Sequence, residues 1–172
     1  MTNSNTGVNG AIGVVGLGNM GLGMVRTLLR EGFAVIGFDL SDERQVEAAR
    51  AGAEIVTSQK ELFTACDTII LSLPTAAHVT AVLTGEGGVV EYDCTPRLVI
   101  ATTTSEPDVT RNLDQILRPL GHILIDAPVS GGPAGANSGQ LTMMVGGSDA
   151  DFARAMPILT ALGGKITHVG PV

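Results

Sequence analysis

Charge is scarce in this sequence, and what there is leans acidic: charged residues make up 16% of its 172 positions and the formal net charge is −7. Without a basic cluster, neither a nucleic acid nor an anionic membrane surface is an expected partner. Cysteine is nearly absent too. Cys66 and Cys94 stand alone in apolar surroundings with no C-x-x-C pair, which argues against a disulfide framework and against a zinc site, and no metal is expected. They read as small buried hydrophobes in a reducing cytosol. No apolar run reaches the roughly 18 residues a membrane helix needs. The opening MTNSNTGVNG lacks the basic and apolar blocks of a signal peptide, so residues 1–9 are expected to be a flexible leader and the location cytoplasmic. What is abundant is apolar character, at 44%, enough for one globular domain with a sizeable core.

The densest information lies in AIGVVGLGNMGLGMVRTLLREGFAVIGFDLS. Ile12, Gly13, Val14 and Val15 form a short apolar run without alternation, as expected of a parallel strand covered on both faces. Gly16-x-Gly18-x-x-Gly21 then supplies a tight turn, a bare backbone that lets a diphosphate approach, and a residue small enough to seat helix on strand. Met20, Met24, Val25, Leu28 and Leu29 recur at helical intervals over residues 19–31, and the free N–H groups at that helix's start would face the diphosphate. Residues 33–38 make the next strand. Asp39 ends it, where a carboxylate can accept hydrogen bonds from both adenosine ribose hydroxyls and would repel a 2′-phosphate. NAD is therefore expected over NADP. Arg44 is the one nearby cation that argues otherwise, and it is expected on the solvent face of the following helix.

Helical and strand-like segments then alternate, the mark of a doubly wound α/β sheet. Helices are expected over residues 41–51, 58–65, 75–83, 106–117 and 149–162, and strands over 68–73, 97–101, 122–127, 141–145 and 165–169. Ser105 is the expected cap of the 106–117 helix, with Pro107 in its first turn. Residues 131–138 hold too much glycine for a long helix, and the pattern leaves open whether the last strands run parallel or antiparallel. No internal repeat is found. Three strand ends should open toward one crevice, because ligands in such sheets bind beyond the carboxyl ends of the strands. These are Leu73-Pro74-Thr75, Thr102-Thr103-Thr104-Ser105 and the run from Asp126 to Gly132. Hydroxyls of Thr103 and Thr104 could bond ribose or the nicotinamide carboxamide, or could cap strand ends. Ser130, Gly131 and Gly132 can form a concave set of N–H groups suited to a carboxylate, or a simple glycine turn.

With these residues assembled, the chain resembles the N-terminal domain of the β-hydroxyacid dehydrogenases, a family that includes 3-hydroxyisobutyrate, L-threonate and 6-phosphogluconate dehydrogenases and tartronate semialdehyde reductases. The resemblance covers residues 10–172, and its most specific element is DAPVSGGPAGANSGQL. It implies a single, mainly parallel, Rossmann-type domain that binds NAD. Residue by residue, it implies that Gly16, Leu17, Gly18, Asn19, Met20 and Gly21 hold the pyrophosphate and Asp39 the ribose. Leu73 and Pro74 would line the cofactor groove, Thr104 would meet the nicotinamide side, and Ser130, Gly131 and Gly132 would hold a small carboxylate substrate.

The family's catalytic lysine follows a G-x-V-G-x-G-x-x-x-K motif, and this sequence stops at Gly170-Pro171-Val172, inside the motif's opening. No catalytic residue is therefore assigned within the 172 positions. Oxidation of a hydroxyl needs a proton acceptor. As substitutes, Lys165 reads as a solvated turn lysine, His78 as a surface or packing residue, and His122 as lying away from the cofactor. His168 alone merits a test, while Asp126 reads as a carboxylate fixing local backbone. The family's all-helical second domain, which completes the substrate pocket and usually the subunit interface, also lies outside these residues, so a homo-oligomer is expected only with it. The resulting expectation is the cofactor half of an enzyme moving hydride between NAD and a small 3-hydroxy acid. The alternatives are a non-catalytic NAD-sensing or protein-docking module, and an imine reductase of related architecture. No cationic clamp stands near Ser130 for a phosphorylated sugar acid.

Overall fold

In the computed structural model, residues 10–91 and 95–172 are described. The leader, residues 1–9, and Cys94 lie outside them. The apolar runs become strands β1 (Ile12–Val15), β2 (Val35–Phe38), β4 (Thr68–Leu71), β5 (Leu98–Ala101) and β6 (Ile123–Asp126), with the two-residue β3 (Glu54–Ile55) at one edge. These six pair in parallel in the order β3-β2-β1-β4-β5-β6. Burial explains their composition. Ile12, Val14, Ile70, Leu98, Ile100 and Ile125 point to one face, and Val15, Ile69, Leu71, Val99 and Leu124 to the other.

Each face is covered by helices. On the first lie α1 (Asn19–Arg30), α2 (Asp42–Ala51), α6 (Gly132–Ser138) and α7 (Asp149–Leu162). On the second lie α3 (Gln59–Ala65), α4 (Ala76–Thr84) and α5 (Pro107–Leu117). The sheet is doubly wound, which leaves the strands' carboxyl ends free along one crest.

The orientation that the pattern left open is settled beyond β6. Strand β8 (Leu141–Gly146) runs antiparallel to β6, pairing Gly146 with Asp126, and antiparallel to the short β7 (Val129–Ser130), pairing Met143 with Val129. Strand β9 (Gly163–Gly170) runs parallel to β8 on its other side. Because β6 and β7 both pair with β8, β8 continues past the crest of the parallel strands.

One local expectation is corrected. Glu106, not Ser105, occupies the cap position of α5, and no side chain bonds the helix's free amides there. Pro107 at the first helical position has no N–H to satisfy, which removes one of the donors a serine cap would serve. The segment after Gly131 forms no long helix, as its glycine content implied: α6 is kept to seven residues between Gly131 and a left-handed Gly139.

Candidate functional site

The site is built where β1 turns into α1. Gly16 carries φ +91, and a methyl added there would collide with the Ser72 carbonyl oxygen, so this turn passes close to the end of β4. At Gly21 a methyl would collide with the Gly16 carbonyl oxygen, which seats α1 directly on its own loop. Gly18 differs, since nothing stands within 4 Å of the methyl it lacks and its open side is available to an incoming group. It is also the cap of α1, with no side chain bonding the helix start, so the amides of Asn19, Met20 and Gly21 have no side-chain acceptor. These amides at the positive end of a helix dipole suit an anion.

Asp39 stands beside this loop. Its Oδ2 accepts from the Leu17 amide at 2.6 Å and its Oδ1 from the Ser41 amide at 2.8 Å. Each carboxylate oxygen has a second lone pair, so two acceptor directions remain for hydroxyl groups. Leu17 itself has a fully buried side chain. Arg44, the nearby cation in sequence, pairs with Glu47 at 2.9 Å on α2.

Along the crest, Met20, Ser72, Leu73, Pro74, Thr102, Thr103, Thr104, Val129 and Gly132 line a crevice of about 330 Å³. The structure thus brings together eight of the residues singled out in the sequence: Met20, Leu73, Pro74, Thr102, Thr103, Thr104, Val129 and Gly132. Ser130 is exposed on β7 opposite Thr142, and Gly131 caps α6 at φ +129, both one step from the lining. Of the lining residues, Ser72 alone was missed, although it directly adjoins Leu73.

Of the two roles left open for Thr103, the structure shows the strand-end one. Its hydroxyl donates to the Leu73 carbonyl at 2.8 Å and accepts from the Leu73 amide at 3.0 Å, so it ties the segments that follow β4 and β5 together and its proton is already committed. Thr104, next to it, is exposed.

Asp126 is corrected. It fixes no backbone: its Oδ1 is buried without a hydrogen-bond partner, and burial raises its carboxyl from 3.8 to about 6. The histidines are committed elsewhere. His168 stacks on Phe152 at 4.3 Å and its Nε2 lies 2.7 Å from the Gly147 carbonyl, away from the crevice lining. His122 is buried, accepts the Arg97 amide on Nδ1 at 3.0 Å, and is pushed below its usual range by desolvation and then by Arg97. His78 sits exposed in the first turn of α4 with Nδ1 2.7 Å from the Thr75 hydroxyl. Lys165 lies exposed on β9. Burial pushes the Cys66 thiol up to about 12, which makes it an inert core residue. Among the described residues no group of three or more His, Cys, Asp or Glu could hold a metal.

Sheet, crest and uncapped glycine loop define a dinucleotide-binding fold of the Rossmann class. Residues 11–170 match the family described as the NAD binding domain of 6-phosphogluconate dehydrogenase, and the chain belongs to that family. It is 37% identical over 161 residues to a probable mitochondrial 3-hydroxyisobutyrate dehydrogenase of Dictyostelium discoideum, covering 94% of this chain and 50% of that protein. It is 37% identical over 159 residues to 2-(hydroxymethyl)glutarate dehydrogenase of Eubacterium barkeri, covering 92% and 53%. Among solved structures it is similar to Mycobacterium tuberculosis 3-hydroxyisobutyrate dehydrogenase with L-serine, at TM-score 0.89 and 34% identity, covering 96% of this chain and 56% of that one. The chain spans about half the length of the curated relatives it matches.

Proposed function

We propose that this chain is the cofactor-holding part of an oxidoreductase that moves a hydride between NAD and a small 3-hydroxy acid, with residues 10–172 forming one dinucleotide-binding domain. The observation that carries the reading is the junction of an uncapped helix start with a strand-end carboxylate: Asn19, Met20 and Gly21 present amides beside open space at Gly18, and Asp39 reaches the same loop at 2.6 Å. In this reading the segment from Gly16 to Gly21 takes the diphosphate, Asp39 the adenosine ribose, Leu73 and Pro74 the groove wall, and Thr104 the nicotinamide side. Ser130, Gly131 and Gly132 take the carboxylate of the substrate. When bound, NAD supplies the hydride acceptor.

The residues lining the crevice carry no titratable side chain. They can bind, orient and exclude water, but cannot take the proton of a substrate hydroxyl as hydride leaves. This agrees with the family resemblance, in which a lysine on a helix beyond the matched segment has that task. Turnover, any homo-oligomer and the completed substrate pocket accordingly belong to the longer form, which we place in the cytoplasm. The same lack of a proton acceptor favours, as a second reading, a module that binds NAD without chemistry. Joining the chain to a helical second domain of a relative separates them: the first reading expects 3-hydroxy-acid oxidation to appear, the second expects none.

Calorimetric titration of the chain is expected to give binding of NAD that is tighter than NADP, and Asp39→Ala is expected to narrow that gap. No heat with either cofactor overturns the reading. An unchanged preference removes Asp39 from its place at the ribose.

A further inference from the structure

The amide of Leu17 sits in the middle of the glycine loop, yet it already has an acceptor. Asp39 Oδ2 holds it at 2.6 Å, at the short end of the range for an N–H donor meeting a carboxylate. The carboxylate is in turn oriented from its other side by the Ser41 amide at 2.8 Å. Backbone bonds reinforce the arrangement: Gly16 donates to the Phe38 carbonyl at 3.0 Å, and Gln45 Nε2 donates to the Asp39 carbonyl at 2.7 Å. Beneath, the buried Leu17 side chain lies where both its terminal methyl groups would stand 3.2 Å from a methyl added at Gly37 of β2. The loop is therefore fastened to the second strand through backbone, through side-chain packing, and through one charged group. Only the last can be removed without altering the fold's spacing.

We propose that Asp39 is a positioning residue for the glycine loop: by holding the Leu17 amide it fixes the backbone that receives the diphosphate, independently of any contact with ribose. The proposal rests on the NAD reading of the site and extends it. Two consequences follow. The Leu17 N–H is not one of the diphosphate's donors, which leaves that task to the amides that open α1. Loss of the carboxylate harms binding of ligands that have a diphosphate but no ribose hydroxyls.

That second consequence has a distinctive sign. A carboxylate acting only on ribose repels a neighbouring diphosphate, so its removal would leave such ligands bound equally or more tightly. Removing a clamp weakens them.

The test titrates the wild-type chain, Asp39→Asn and Asp39→Ala with ADP and with 2′,3′-dideoxyadenosine 5′-diphosphate, and follows amide hydrogen exchange at Leu17 without ligand. Asn keeps the shape and one acceptor, and guards against an Ala variant that fails to fold. The expected result is loss of Leu17 protection in Asp39→Ala with the Leu22 amide still protected, and a loss of about tenfold in affinity for the dideoxy ligand, with Asn intermediate. Dideoxy-ligand affinity that holds or rises while ADP affinity falls overturns the clamp and leaves the ribose role standing. An exchange rate at Leu17 that does not change in Asp39→Ala overturns it as well. If the wild type binds neither nucleotide, the NAD reading fails, and exchange at Leu17 still decides the clamp.

Discussion

Asp126 is where a single residue carries the clearest energetic signature. Its Oδ1 is buried and unpartnered, and burial alone raises its carboxyl from 3.8 to about 6. An acid whose pKa is higher folded than unfolded keeps an extra proton in the native state between those two values, so stability falls as pH rises through that window. Above it the ionised group is a standing cost. Asp126→Asn is expected to raise the unfolding free energy by about 1 kcal/mol near pH 8, discounted for the solvent the side chain still meets, and to give no gain near pH 3. Urea denaturation at the two pH values checks this, and an equal effect at both rejects it. The sequence marked Asp126 as a strand-end acid but could not reveal its lack of a partner. The same limit applies to Thr103, whose partner Leu73 is 30 positions away. Tertiary pairing of that kind leaves no local pattern.

Among the elements, the contact between α1 and α6 joins the proposed diphosphate helix to the segment after Ser130. α6 is short, and its last carbonyls would be orphans without outside donors. Two of them are met from α1: the Thr27 hydroxyl donates to the Ala136 carbonyl at 2.6 Å, and Arg30 Nη1 donates to the Asn137 carbonyl at 2.9 Å. Gly23 permits the approach, since a methyl there would stand 2.8 Å from the Ala136 side chain. Thr27→Val keeps the volume and strands a buried carbonyl, so a loss of about 1–3 kcal/mol in stability is expected by chemical denaturation. A variant within experimental error of wild type would show that water replaces the hydroxyl. The strong elements were legible because pattern and length agreed: the unbroken apolar runs of β1, β4 and β5 and the helical spacing of α1 each carry their own period. β3 and β7, two residues each, are too short to show any period. β8 does alternate between buried and exposed positions, which the parallel strands do not. That alternation reflects cover on one face and says nothing about direction, so its antiparallel course had to come from the structure.

At the scale of the whole molecule, binding should appear as resistance to heat. A ligand held only by the folded state at a hundred times its Kd stabilises by about 2.7 kcal/mol, which for a domain of this size raises Tm by roughly 5–10 °C. NAD is expected to do this in a thermal scan at such concentrations, and NADP to do it less at equal concentration. A melting curve indifferent to NAD contradicts the proposed function. Among the described residues no helix is long and apolar enough to cross a membrane.

The course of β8 has one more effect. Since Gly146 pairs with Asp126 and Met143 with Val129, the chain leaving β6 is laced to a neighbour as it rises beyond the parallel strands. Val129 is thereby carried on a hydrogen-bonded ladder, whereas Pro74 and Thr104 opposite lie on connections between strands and helices. The cleft is therefore walled on one side by paired strand and on the other by two connections stitched to each other through Thr103 and Leu73, so its width is set jointly by a sheet ladder and a single threonine.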